Sequence, residues 1–180
     1  PSELALSIPF SENPVYELAE DVVKKGVSIC PGWEDGRGTI QYLSKLSNGL
    51  SCKILVISQN KEEVVFSMEY TDQGMTGCKA VIETYTVNQE GITIDATLSA
   101  PVGDRIYYQI PLLFTNGKDM TSLSSTADYA VLSLGNNSYH IKTDGIISID
   151  TTRYGNRNGE YNLARIQKDG NAVKVQLQLK

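Results

Sequence analysis

Apolar and polar residues alternate along most of this chain, and the period of the alternation is two. Between residues 78 and 116 three segments of this kind follow one another. In the second, Ile92, Ile94, Ala96 and Leu98 alternate with Thr93, Asp95, Thr97 and Ser99. In the third, Ile106, Tyr108, Ile110, Leu112 and Phe114 alternate with Arg105, Tyr107, Gln109, Pro111 and Leu113. Successive side chains of a pleated strand point to opposite faces, so one side of each segment is apolar and the other mainly polar. The stretch therefore reads as the middle of one antiparallel sheet laid over a core. Arg105, Tyr107 and Gln109 form a polar row on its outer surface, open to a ligand or a neighbouring domain.

The same pattern predicts strands over 27–30, 39–46, 50–58, 62–70 and 78–87, with Val64, Phe66, Met68 and Tyr70 sharing one face. Further strands are expected over 129–134, 138–143, 146–150, 161–167 and 172–179. Residues 31–38 (PGWEDGRG) read as turn. Asn-Gly pairs at 48–49, 116–117 and 158–159, and Asp-Gly pairs at 35–36, 144–145 and 169–170, accept the positive φ angles of tight turns and read as hairpin connections. Near the N-terminus, residues 4–10 fit a first strand or an extended lead-in. After Pro14 the period changes. Val15, Leu18, Ala19, Val22 and Val23 recur at helical spacing, acidic residues come early, Lys24 and Lys25 late, and Gly26 follows. One short helix and an irregular wrap both fit that segment. The expected architecture is all-β: a large antiparallel sandwich of two packed sheets and roughly a dozen strands, with at most one short helix near the N-terminus.

Length and composition add limits. A chain of 180 residues with 41% hydrophobic and 21% charged side chains can bury one core as a single domain spanning 1–180. It opens at Pro1 directly into LALSIPF, so the expectation is one domain of a longer chain. A net charge of −5 argues against a nucleic-acid partner, because phosphate binding needs a basic face. The apolar runs are strand-sized, so no membrane insertion is expected. Cys30, Cys52 and Cys78 form no CxxC pair and read as small core residues, with at least one free thiol.

Little in the chain carries recognisable chemistry. His140 is the single histidine; it faces the polar side of its strand with no nucleophile motif beside it. Metal-ligand and phosphate-loop patterns are lacking, so no metal, cofactor or catalytic residue is assigned. Two loops and the polar row remain as ligand-binding candidates. Trp33, Glu34 and Arg37 combine an aromatic plane with carboxylate and guanidinium groups, as sugar-binding surfaces do; equally, Trp33 could plug one end of the sandwich while Arg37 pairs with a carboxylate. Arg153, Tyr154, Asn156, Arg157, Asn158 and Tyr161 could contact an acidic sugar. A Tyr base with Arg or Asn neutralising a carboxylate also fits polysaccharide β-elimination, and a structural hairpin with cross-strand tyrosines fits as well.

The words TYTV, EGITI, YYQIPLLFTNG, KTDG and YGNRNGEYNLARI, followed by an alternating last strand, span roughly 78–180. In this they resemble the C-terminal β-sandwich domains of bacterial heparinase-like and alginate-lyase-like polysaccharide-degrading enzymes. The resemblance implies a non-catalytic accessory module of a secreted or periplasmic carbohydrate-active enzyme, with a structural or glycan-contact role. An acidic polysaccharide or a neighbouring catalytic domain would be its partner. No catalytic residue of that family matches a position here. Two alternatives stand beside it: a stand-alone lyase or sugar-modifying enzyme using Tyr154, Arg157, Tyr161 and His140, and an adhesion or assembly module marked by an exposed apolar patch.

Overall fold

The computed structural model describes residues 28–46, 50–156 and 159–180. The expected first strand, the helix after Pro14 and the turn at Asn48-Gly49 lie outside them. The described residues form thirteen strands: β1 (Cys30–Glu34), β2 (Ile40–Tyr42), β3 (Ser51–Gln59), β4 (Glu63–Thr71), β5 (Ala80–Asn88), β6 (Gly91–Ser99), β7 (Arg105–Thr115), β8 (Ser122–Ser125), β9 (Tyr129–Leu134), β10 (Asn137–Thr143), β11 (Ile146–Asn156), β12 (Gly159–Asp169) and β13 (Ala172–Leu179). They make two antiparallel sheets. One has five strands in the order β11-β12-β7-β1-β2; the other has eight in the order β3-β4-β5-β6-β13-β10-β9-β8. The fold class is the all-β sandwich that the alternation predicts.

The stretch over 78–116 does not stay in one sheet. β5 and β6 form a hairpin in the eight-stranded sheet, and β7 is the middle strand of the five-stranded one. The chain crosses after Ser99, where Ala100 takes a positive φ of 46° and Pro101 offers no backbone donor to a continuing ladder. Val102 N–H then donates to Gly77 O at 2.7 Å and anchors the crossing. Two Asp-Gly pairs cross in the same way. Asp144-Gly145 joins β10 to β11, and Asp169-Gly170 joins β12 to β13, each pair of strands lying in different sheets. Asp144 holds both sides: Oδ2 accepts from Lys168 Nζ on β12 at 2.6 Å and Oδ1 from Lys174 N on β13 at 2.9 Å.

Residues 31–38 are not all turn. β1 takes up Pro31, Gly32 and Trp33, and the turn narrows to the residues after Glu34. Pro31 is tolerated because β2 pairs only with Gly32, Trp33 and Glu34, so its missing N–H faces no β2 partner. Gly32 is required for another reason, since the Tyr42 ring occupies the place a Cβ would take. The predicted strand over 39–46 shortens to β2, followed by a 3-10 turn at Leu43–Lys45.

Between the sheets lie Ile94, Ala96 and Leu98 of β6, Ile106, Tyr108, Ile110 and Leu112 of β7, and Val173, Val175 and Leu177 of β13, all buried as their alternation requires. This cover ends before the sheet does. Ile94, Tyr85, Phe66 and Val56 are register partners on four adjacent strands. Ile94 and Tyr85 are buried, Phe66 is half-buried, and Val56 is 58% exposed. The five-stranded sheet therefore stops short of β3.

Candidate functional site

Two of the three side chains of the polar row on β7 are closed off, and Arg105 at its end stays exposed. Tyr107 and Gln109 are only 8% and 6% exposed. Their hydrogen bonds run along the sheet rather than outward. Tyr107 OH donates to Glu34 Oε1 at 2.5 Å, and Arg105 Nε pairs with Asp169 Oδ1 at 3.0 Å. Gln109 Nε2 donates to Ser28 O at 3.0 Å while its Oε1 accepts from Arg165 Nη1 at 2.6 Å. Arg165 also pairs with Asp150 Oδ2 at 3.2 Å and lies 4.9 Å from the centre of the Tyr42 ring. Tyr154 OH closes the group on Asp150 at 3.4 Å. Antiparallel register makes this inevitable: Gln109 stands between Cys30 of β1 and Arg165 of β12, so the row on β7 meets polar side chains from both neighbours.

Electrostatics follows from that enclosure. Partial burial pushes the Asp150 carboxyl up, but hydrogen bonds from Thr152 and the Arg165 guanidinium outweigh it and leave it below its ordinary range. Burial lowers the Arg165 value, and the Tyr42 hydroxyl and Asp150 more than reverse that. Tyr107 is pushed up by burial and by the Glu34 carboxylate it bonds. None of these shifts gives a tyrosinate or free carboxylate at neutral pH that lacks a partner.

Trp33 is not a sugar platform. It is fully buried opposite Ile106, and its Nε1–H donates to Thr76 O at 2.6 Å. The loop carrying Thr76 is shaped to accept it, since Gly77 has φ +92° and a Cβ there would strike the backbone of Glu34 and Asp35. Glu34 is half-buried against Tyr107, which leaves Arg37 exposed on the turn without its two expected companions. Asp35 Oδ1 organises that turn by accepting from the N–H groups of Arg37 and Thr39, both at 2.9 Å.

The second loop is likewise committed in its described part. Tyr154 and Tyr161 are direct cross-strand partners, and Tyr161 is buried. Arg153 lies 4.3 Å from the Phe114 ring centre and pairs with buried Glu160 at 3.3 Å. Arg157, Asn158 and the side chain of Asn156 lie outside the described residues. His140 sits far from this hairpin: it faces away from buried Ile141 on β10 of the other sheet, so the thickness of the sandwich separates it from Tyr154 and Tyr161. Its Nε2 is 2.7 Å from Ser138 Oγ, and its Nδ1 is bonded to Tyr129 OH.

The sequence missed Arg165, Asp150, Tyr42 and Glu160, which tie these groups together. Arg165 was detectable, because Tyr161, Leu163, Arg165 and Gln167 share one face of a strand and only Arg165 is cationic. A crevice of about 430 Å³ lies between the β3–β4 and β5–β6 turns, lined by Asn60, Glu62, Glu63, Asn88, Gln89 and Glu90. Its carboxylates repel an acidic glycan. Among the described residues no three His, Cys, Asp or Glu side chains are placed to hold a metal ion, and no helix is long and apolar enough to cross a membrane. Of the three cysteines, Cys30 and Cys78 are buried as expected. Cys52 is exposed, because it lies on β3 beyond the reach of the five-stranded sheet. No protein-family model matches the chain, and no curated protein matches it.

Proposed function

We propose that this chain is a non-catalytic β-sandwich module of a secreted carbohydrate-active enzyme, and that its role is structural. One observation carries the reading: the polar side chains best suited to grip a sugar bond one another instead. Tyr107 is used by Glu34, Gln109 by Ser28 and Arg165, and Arg153 by Glu160. A glycan would have to break these partly buried bonds, each worth about 1.5–3 kcal/mol where a charged group is involved, before making its own. The resemblance to sandwich domains of polysaccharide-degrading enzymes supplies the context.

The test is calorimetric titration of the purified chain with oligosaccharides of uronic acids, alongside a spectrophotometric assay for unsaturated products. Neither heat of binding nor new ultraviolet absorbance is expected. Micromolar binding that Arg153→Ala abolishes, or accumulation of unsaturated sugar, would overturn it. A second reading, an assembly module, is favoured by β3, whose Ile54–Ile57 are exposed and which pairs only with β4 among the described residues.

A further inference from the structure

The core face of the eight-stranded sheet runs on past its cover toward one end of the sandwich. The chain passes from Ser99 of β6 to Arg105 of β7 at one end, so Gly91 and Thr115 mark the other, where the β3–β4 and β5–β6 turns also lie. β1 meets β7 only from Cys30, opposite Gln109, to Trp33, opposite Ile106, and so flanks the Arg105 half of β7 alone. Toward the Thr115 end, Val56, Phe66 and Val87 continue the core face on three adjacent strands. Val56 is 58% exposed, Val87 is 36% exposed and Phe66 is half-buried. Next to this shelf lies the crevice between the two turns, lined by Glu62, Glu63 and Glu90 and by no basic residue.

We propose that residues 15–25 of this same chain occupy the shelf. Val15, Leu18, Ala19, Val22 and Val23 lie on Val56, Phe66 and Val87, and Lys24 and Lys25 lie at the acidic rim. Position is the first argument. The described chain enters at Ser28 and runs antiparallel to β7, so the backbone before it points to the Thr115 end. Lys25 is three residues from Ser28, within about 10 Å of extended chain. Ile29 is already in the core, so the incoming segment starts beside the shelf.

Pattern and charge select the same segment. The five apolar residues recur at helical spacing and make one stripe, while Glu17, Glu20 and Asp21 fall on the opposite side. Nine residues at that spacing extend about 13 Å, and three strands span about 10 Å from first to last, so the stripe crosses the shelf once. Lys24 and Lys25 follow the stripe directly and supply the cations that the three glutamates lack. Cys52, four residues from Val56 and about 13 Å back along β3, stays outside the contact.

Thiol reactivity of the full chain tests this. Leu55 and Val56 are each 58% exposed but point to opposite faces of β3, so an empty shelf gives both positions the same rate. In a Cys52→Ser background, Val56→Cys should react at least tenfold more slowly than Leu55→Cys. Adding Leu18→Asp and Val22→Asp should raise the Val56→Cys rate to that of Leu55→Cys and leave the latter unchanged. Cys30 and Cys78 remaining unreactive shows that the sandwich itself is folded in each variant. Equal rates at the two positions before the aspartates are added overturn the proposal. So does a slow Val56→Cys that ignores the aspartates. A Val56→Cys rate that falls as protein concentration rises would give the shelf to a second copy and overturn it too.

Discussion

Glu83 is the residue on which the chemistry of the core turns. It is 1% exposed, and it stands among apolar side chains at the centre of the sandwich. Tyr108 OH of the facing sheet donates to Oε1 at 2.6 Å, and Tyr85 OH donates to Oε2 at 3.1 Å. Burial pushes the carboxyl up to about 6, against the pull of the hydroxyls of Tyr108, Tyr85 and Tyr70. The folded form therefore binds more protons than the unfolded chain between pH 4.5 and 6, and stability falls as pH rises through that window. The change amounts to about 2 kcal/mol, or roughly 4–8 °C in Tm. The opposite trend belongs to Asp35, Asp144 and Asp150, whose lowered values make their contribution vanish only as pH drops below about 3.8. Thermal unfolding followed from pH 4.5 to 7.5 should show Tm declining toward neutrality, and Glu83→Gln should flatten the profile. A parent whose Tm is level or rises over this range would contradict the assignment.

At the scale of elements, the hairpin of β11 and β12 separates a structural arginine from a ligand-binding one. Glu160 is buried, and Arg153, itself less than half exposed, is its cation. Arg153→Ala strands that carboxylate and removes the guanidinium from Phe114. The cost should be about 1–2 kcal/mol, less than for a wholly buried pair because water reaches Arg153. Denaturant unfolding would register the loss with no sugar present, and a variant as stable as the parent would return Arg153 to the list of free binding groups. Which residues face the core was legible in the sequence, because Ile106, Tyr108, Ile110 and Leu112 declare it locally by alternation. What covers the opposite face was not. The partners of Tyr107 and Gln109 are Glu34 and Arg165, distant in sequence, and alternation carries no information about them. The assignment of strands to sheets was hidden for a similar reason: an Asp-Gly pair looks the same whether it turns a hairpin or crosses between layers. Trp33 shows the same limit. A tryptophan in a Gly-rich stretch fits both an exposed platform and a buried plug, and the glycine that makes room for the plug, Gly77, lies more than forty residues away.

For the whole molecule, the question is whether the two sheets separate independently or unfold as one. The core argues for one unit. Tyr108 of one sheet bonds Glu83 of the other, and Asp144 ties Lys168 to Lys174 across the layers. The three cysteines report on this without any mutation. Cys52 lies exposed on β3, outside the covered region, while Cys30 and Cys78 are buried, their thiols pushed up by burial, that of Cys78 to about 11. Thiolate is the reactive form and the Cys52 thiol is pushed up by burial as well, so what sets Cys30 and Cys78 apart is that burial keeps the reagent from them. A native-state titration with a thiol reagent at pH 8 should count one fast thiol per chain. The other two should appear together, at a single rate that rises with denaturant in step with global unfolding. Cys30 lies in the five-stranded sheet and Cys78 in the loop just before β5 of the eight-stranded one, so a split in their rates would mean that the layers open separately. Modification of Cys52 also serves as a probe of the edge it occupies: if β3 is covered by a second copy, its rate should slow as protein concentration rises, whereas Cys30 and Cys78 should be insensitive to concentration under native conditions.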